Sequence, residues 1–262
     1  MFDDDWVNSV KGAENSWVSA VLEDIHGPGG VYLKCIQRWF AELPGSNKQK
    51  NHLKASLKSI NNPDHLGAVN ELSWWRFLIS RGFELEPVPT GKMKTPDFKL
   101  KVDKSCVFFE VTTLNPAMNP NCSEINCSQK NGLKRIVAKA YKEKAEQFEY
   151  GLRKQCPSVL VLFNYDEWSG LGTSLHTLMD SITLFSTPLP ELSAIIYVER
   201  FVIGGKPHFK KDTIMIVDNP NARFSLVSDI KLRLVGGGDN EKLIDCENAA
   251  SLVWNSEAYS DE

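Results

Sequence analysis

The chain has 262 residues, 42% hydrophobic and 24% charged, with a formal net charge of −3. This suits a folded protein with a sizeable core, built as one large domain or two small ones. The negative balance excludes a global attraction to nucleic acid, so any such binding needs a local basic patch. No apolar run approaches the roughly 18–20 residues of a membrane-spanning helix, and no membrane partner is expected.

The N-terminal MFDDDW lacks the basic and apolar regions of a signal peptide. The six cysteines (Cys35, Cys106, Cys122, Cys127, Cys156, Cys246) include no CxxC pair and no zinc-ligand spacing. They are read as reduced thiols, and the expected location is the cytoplasm.

In chain order, Trp17, Val18, Val21, Leu22 and Ile25 follow a helical period, and His26-Gly27-Pro28-Gly29-Gly30 stops it. A second helix is expected around Val31–Phe40 and a more polar third over Lys48–Ile60. Residues 1–62 thus form a helical N-terminal extension in which nothing suggests chemistry. Asn61-Asn62-Pro63-Asp64 caps the next helix, which runs from about Asp64 to Ser80 and is mostly apolar. Glu71 shares a face of it with Ala68, Trp74, Trp75 and Leu78. A carboxylate there must find a partner, reach a polar cleft or lie solvated at the edge of the face.

After a loop rich in Pro and Gly, two stretches alternate with period two. Phe98, Leu100 and Val102 alternate with Asp97, Lys99 and Lys101; Val107, Phe109 and Val111 alternate with Phe108, Glu110 and Thr112. With the turn centred between Asp103 and Lys104, Asp97 falls opposite Glu110. Two like charges so placed destabilise a sheet unless something positive lies between them. A divalent cation with hard oxygen ligands, Mg²⁺ or Mn²⁺, resolves the repulsion.

Thr95-Pro96-Asp97-Phe98, followed by Phe109-Glu110-Val111-Thr112, resembles the core motif of the PD-(D/E)XK nucleases, with Glu71 matching the carboxylate on the preceding helix. The resemblance covers roughly residues 64–165. It implies a restriction-endonuclease-like α/β fold, a mixed β-sheet core flanked by helices over 63–200; the residues of 201–262 read as a C-terminal β-rich extension of the same domain with an acidic tail. It further implies that Asp97, Glu110 and the Val111 carbonyl hold Mg²⁺ or Mn²⁺, and that Glu71 holds a second ion or a water beside the first. The implied activity is metal-dependent hydrolysis of phosphodiester bonds, in DNA ahead of RNA, and the resemblance leaves room for a homodimer. In one respect the chain departs from the family. Thr112 stands where the family has a lysine, and a hydroxyl cannot replace an ammonium that orients the attacking water. The alternative is therefore a catalytically impaired protein of nuclease fold that binds nucleic acid or another protein.

A helix expected from about Asn131 to Leu152 offers a replacement. Lys144 and Gln147 interrupt its apolar stripe of Leu133, Ile136, Val137, Ala140, Tyr141 and Phe148. Lys144 is the candidate catalytic lysine and Gln147 its neighbour; a snorkelling lysine and a glutamine bonded to backbone are the plainer reading. Lys92, Lys94, Lys99 and Lys101 are weaker donors. The region from Lys130 to Lys154 is the most basic in the chain, interleaved with Glu143, Glu146 and Glu149.

Pro157–Phe163 reads as a buried central strand. A helix over Leu175–Phe185, a strand over Ala194–Val198, a hairpin over Phe201–Phe209 broken at Gly204-Gly205, and a strand over Thr213–Val217 follow. Gly236-Gly237-Gly238 is a turn without the features of a phosphate loop.

Overall fold

The computed structural model describes residues 1–14, 16–89, 93–102, 105–114, 139–165, 185, 188–203, 205–209, 214–235 and 244–245. Outside them lie Lys92, the Asp103-Lys104 turn, the first part of the expected 131–152 helix, most of the expected helix over 175–185, the triple glycine, the acidic tail, and Cys122, Cys127 and Cys246.

Four helices open the chain: α1 (Asp4–Val10), α2 (Trp17–Glu23), α3 (Pro28–Glu42) and α4 (Asn47–Leu57). Local causes are visible at the first three starts: Asp3 accepts from the Trp6 amide, Ser16 accepts from the Ser19 amide, and Pro28 stands in the first turn of α3. Helix α5 (Asn62–Ser80) is buried almost all round, from His65 through Leu78. An apolar surface of that extent must be covered on several sides. Helices α2, α3 and α4 cover one side and the sheet covers another.

The sheet contains β1 (Leu85–Pro87), β2 (Phe98–Val102), β3 (Ser105–Leu114), β4 (Ser158–Tyr165), β5 (Ala194–Ile203), β6 (Lys206–Phe209), β7 (Met215–Asp218) and β8 (Ile244–Asp245). The order is β1-β2-β3-β4-β5-β6-β8, with β7 also paired to β5. Strands β3, β4 and β5 run parallel and the other pairings are antiparallel. The chain is a mixed α/β protein whose sheet is flanked by helices. The β2–β3 register is the one expected from the alternation, with Phe98 opposite Phe109 and Val102 opposite Ser105. Continuous burial from Val159 to Phe163 marks β4 as the central strand. The β5–β6 hairpin turns at Gly205, whose φ of +82° and close approach to the Pro28 carbonyl admit only glycine.

The two sheet faces differ. Val107, Phe109 and Val111 of β3, with Val159, Val161 and Phe163 of β4, join Trp74, Phe77 and the N-terminal helices in one cluster. Trp74 is its centre, with its ring centroid 5.1 Å from Phe77, 5.9 Å from Phe109 and 6.3 Å from Phe163. Leu160 and Leu162 face the other way, against Ala140 and Phe148. Phe108 and Cys106 on that second face pack with Val88 and Cys156.

Two expectations are corrected, and two elements are additional to those expected. The helix expected to run unbroken to Leu152 is interrupted: a π turn (Lys139–Glu143) leads to Lys144, and α6 (Ala145–Arg153) starts after it. Helix α7 (Ser228–Val235) and strand β1 have no counterpart in the sequence reading. And Cys106 and Cys156 are joined as a disulfide, with Cα atoms 5.7 Å apart. The expectation of reduced thiols fails for this pair, because pairing of β3 with β4 brings together two cysteines that are 50 residues apart in sequence. Cys35 is buried and lies outside this disulfide.

Candidate active site

Glu110 is placed by strand alternation. It points with Phe108 to the sheet face covered by α6 and is 3% exposed. One of its oxygens, Oε1, accepts from the Lys144 Nζ at 2.5 Å. The other, Oε2, is buried without a hydrogen-bond partner. The π turn delivers the lysine. The Lys144 amide donates to the Lys139 carbonyl at 3.0 Å, and the Lys144 carbonyl then accepts from the Gln147 and Phe148 amides as α6 begins. Such an irregular turn re-aims a side chain that a continuous helix would have carried round. Gln147 is buried beside it and its Oε1 also lacks a partner.

Asp97 immediately precedes β2, and its Oδ2 accepts from the Val111 amide at 2.8 Å. The residue after Glu110 thereby binds the other acid of the motif, and the Asp97 carboxylate is held at the end of the β2–β3 ladder. Glu71 stands on α5, across the sheet from α6, yet Asp97 and Glu110 both act electrostatically upon it.

The charges compete. Burial, then repulsion from Asp97 and Glu110, raises Glu71 well above the ordinary carboxylate range, against the pull of Lys144. Burial raises Asp97 too, opposed by Lys144, the Val111 amide and His52. Burial and then Asp97 raise Glu110 to about 8, with Lys144 acting against them. For Lys144, burial works against the charged form, but the nearby carboxylates prevail and its pKa is raised. One ammonium thus faces several carboxyl groups in a poorly solvated place.

The structure brings Glu110 and Lys144 into contact, ties Asp97 to Val111, buries Gln147 beside them and puts Glu71 within electrostatic reach. Thr112 is half-buried on the same face of β3 as Glu110. Among the described residues no three His, Cys, Asp or Glu side chains already stand as an ion-enclosing group. Three of the weaker lysines are engaged in surface pairs: Lys94 with Glu146 at 3.4 Å, Lys99 with Glu86 at 3.9 Å, and Lys101 with Glu86 at 2.8 Å. Part of the basic region is likewise paired locally, Lys139 with Glu143 in the π turn and Arg153 with Glu149 on α6.

Two residues escaped the sequence reading. Asn70, beside Glu71, is fully buried and donates to the Thr113 Oγ1 at 2.7 Å, linking α5 to β3. A polar residue within the apolar run of α5 was the available signal. His52 favours the charged form of Asp97 from α4, a helix in which no residue had suggested chemistry; its polar sequence gave no signal.

No protein-family model, no curated protein and no solved structure matches the chain.

Proposed function

We propose that the protein is a metal-dependent phosphodiesterase acting on DNA, with a restriction-endonuclease-like fold. The observation that carries the reading is the Lys144–Glu110 contact: a lysine from the start of α6 reaches the carboxylate beside which Thr112 fails to supply one. The oxygens present suit a hard divalent cation, since Glu110 Oε2 and Gln147 Oε1 are buried acceptors with no partner. Asp97, Glu110 and the Val111 carbonyl would hold Mg²⁺ or Mn²⁺, with Glu71 serving a second ion. A bound ion supplies Lewis acidity toward the phosphate and lowers the pKa of the attacking water. The chain's own contribution is positional. The Val111 amide fixes Asp97, Gln147 orients polar groups at the floor of the site, and Lys144 donates to the attacking water or to a phosphate oxygen. A cytoplasmic location belongs to this proposal as well, and the Cys106–Cys156 bond weighs against it.

A second reading has its own support. Lys144 already pairs with Glu110, an arrangement that a module binding nucleic acid without cutting it can keep. Incubating DNA with the protein and Mg²⁺ separates the two. The hydrolase reading expects cleavage that is lost in Asp97→Ala and Glu110→Ala and reduced about 10²–10⁴-fold in Lys144→Ala. Equal cutting by wild type and both carboxylate variants would trace the activity to a contaminant and end that reading. Cation-independent DNA binding without cutting supports the module.

A further inference from the structure

A groove of about 320 Å³ lies between β1, β2, β3 and the C-terminal end of α6; its walls include Val88, Phe108, Tyr150, Lys99 and Lys154. Two elements lead from the Glu110–Lys144 contact into it. On β3, Phe108 shares a face with Glu110 and is roughly 7 Å away along the strand. On α6, Gln147, Tyr150 and Lys154 follow one another at helical spacing, so the stripe that begins at the site ends at the groove. The groove thus lies on the same sheet face as the Glu110–Lys144 contact, further along β3 and α6. Its wall is aromatic, with Tyr150 edge-to-face on Phe108 at 5.3 Å and the Lys154 ammonium 5.8 Å from the Tyr150 ring centroid. Lys154 is exposed, and among the described residues no carboxylate pairs with it, whereas the acid of the groove, Glu86, is matched by Lys101 and Lys99. An aromatic ring with a cation over it is a combination that receives a base and its phosphate from an unpaired strand.

We propose that this groove binds an unpaired nucleotide of the DNA strand, its base against Tyr150 and its phosphate at Lys154, and so favours single-stranded or frayed substrates. The proposal rests on the hydrolase reading for the identity of the polymer, but its test does not need turnover. A short fluorescein-labelled single-stranded DNA and the matching duplex are titrated in EDTA against wild type, Lys154→Glu, Tyr150→Leu and, as a charge control on the N-terminal helices, Lys11→Glu. Lys154→Glu and Tyr150→Leu should each weaken single-strand binding about tenfold, with a smaller effect on duplex and none from Lys11→Glu. A 2-aminopurine in the strand should be quenched by wild type and less so by Tyr150→Leu. Because Lys154 is exposed, Lys154→Glu tests the idea even where Tyr150→Leu disturbs packing. Unchanged single-strand affinity in Lys154→Glu overturns the proposal, as does a wild type that binds no single strand. If the groove variants behave as expected and wild type never cleaves, the hydrolase reading fails and the groove stands. If wild type cleaves with magnesium and Lys154→Glu binds and cleaves as well as it does, the hydrolase reading stands and the groove fails.

Discussion

Glu110 is the residue on which burial and charge meet most sharply. Its carboxyl is raised to about 8 by desolvation and then by Asp97, against an ordinary value of 4.5, while Lys144 holds it down. In the unfolded chain the same group loses its proton near the ordinary value. The folded form therefore binds the proton more tightly, and the associated stability is complete below about pH 4.5 and is lost as pH rises toward about 8. Glu71 and Asp97, also raised, act in the same direction. Thermal unfolding in EDTA should show a melting temperature that falls between about pH 5 and about pH 8, and Glu110→Gln should flatten that fall. A melting temperature that climbs across this window would contradict the burial argument. At this scale the sequence was informative where periodicity governs. Alternation placed Asp97 against Glu110, and the stripe on the later helix singled out Lys144 and Gln147. It was silent on His52, because electrostatic reach between α4 and Asp97 depends on how the helices pack.

Helix α6 carries the site's lysine only because of its two ends. At its start the π turn rotates Lys144 toward Glu110; no Pro or Gly marks the break, which is why a continuous helix was expected. Near its other end Gly151 lies against the start of β4, where an added Cβ would stand 1.9 Å from the Ser158 Oγ and 3.2 Å from the Cys156 carbonyl. Gly151→Ala should therefore push α6 off the sheet, costing about 1–3 kcal/mol in a urea titration. It should weaken any activity that depends on Lys144 more than the fold loss accounts for. Elements with long periodic patterns, such as α5 and β4, could be read directly. Strand β1 is three residues ending in Pro87, too short for alternation to register, and α7 buries only Ile230 and Leu234. Both owe their form to neighbours supplied by the fold: β1 to β2, and α7 to contacts such as Arg233 with the Arg81 and Gly82 carbonyls.

Across the whole molecule, the N-terminal helices and the sheet share one hydrophobic cluster, from Trp6 through Trp74 to Phe163. Composition allowed one domain or two, and the side chains that join these helices to the sheet are scattered along the sequence, so their union was not legible in advance. The Cys106–Cys156 bond adds a cross-link over 50 residues. Closing a loop of that size stabilises by about 4 kcal/mol in the chain-entropy picture. Reduction, or the double replacement Cys106→Ser with Cys156→Ser, should lower unfolding stability by up to that amount in urea. An unchanged urea midpoint would mean that the cross-link adds nothing beyond the β3–β4 pairing.

That bond also changes the connectivity of the site. The chain becomes a ring with two tails, and Glu110, Lys144 and Gln147 all lie on the ring. A single backbone cut anywhere between Cys106 and Cys156 would leave one covalent molecule, with the lysine and the carboxylate it binds still tethered to each other until a reductant is added.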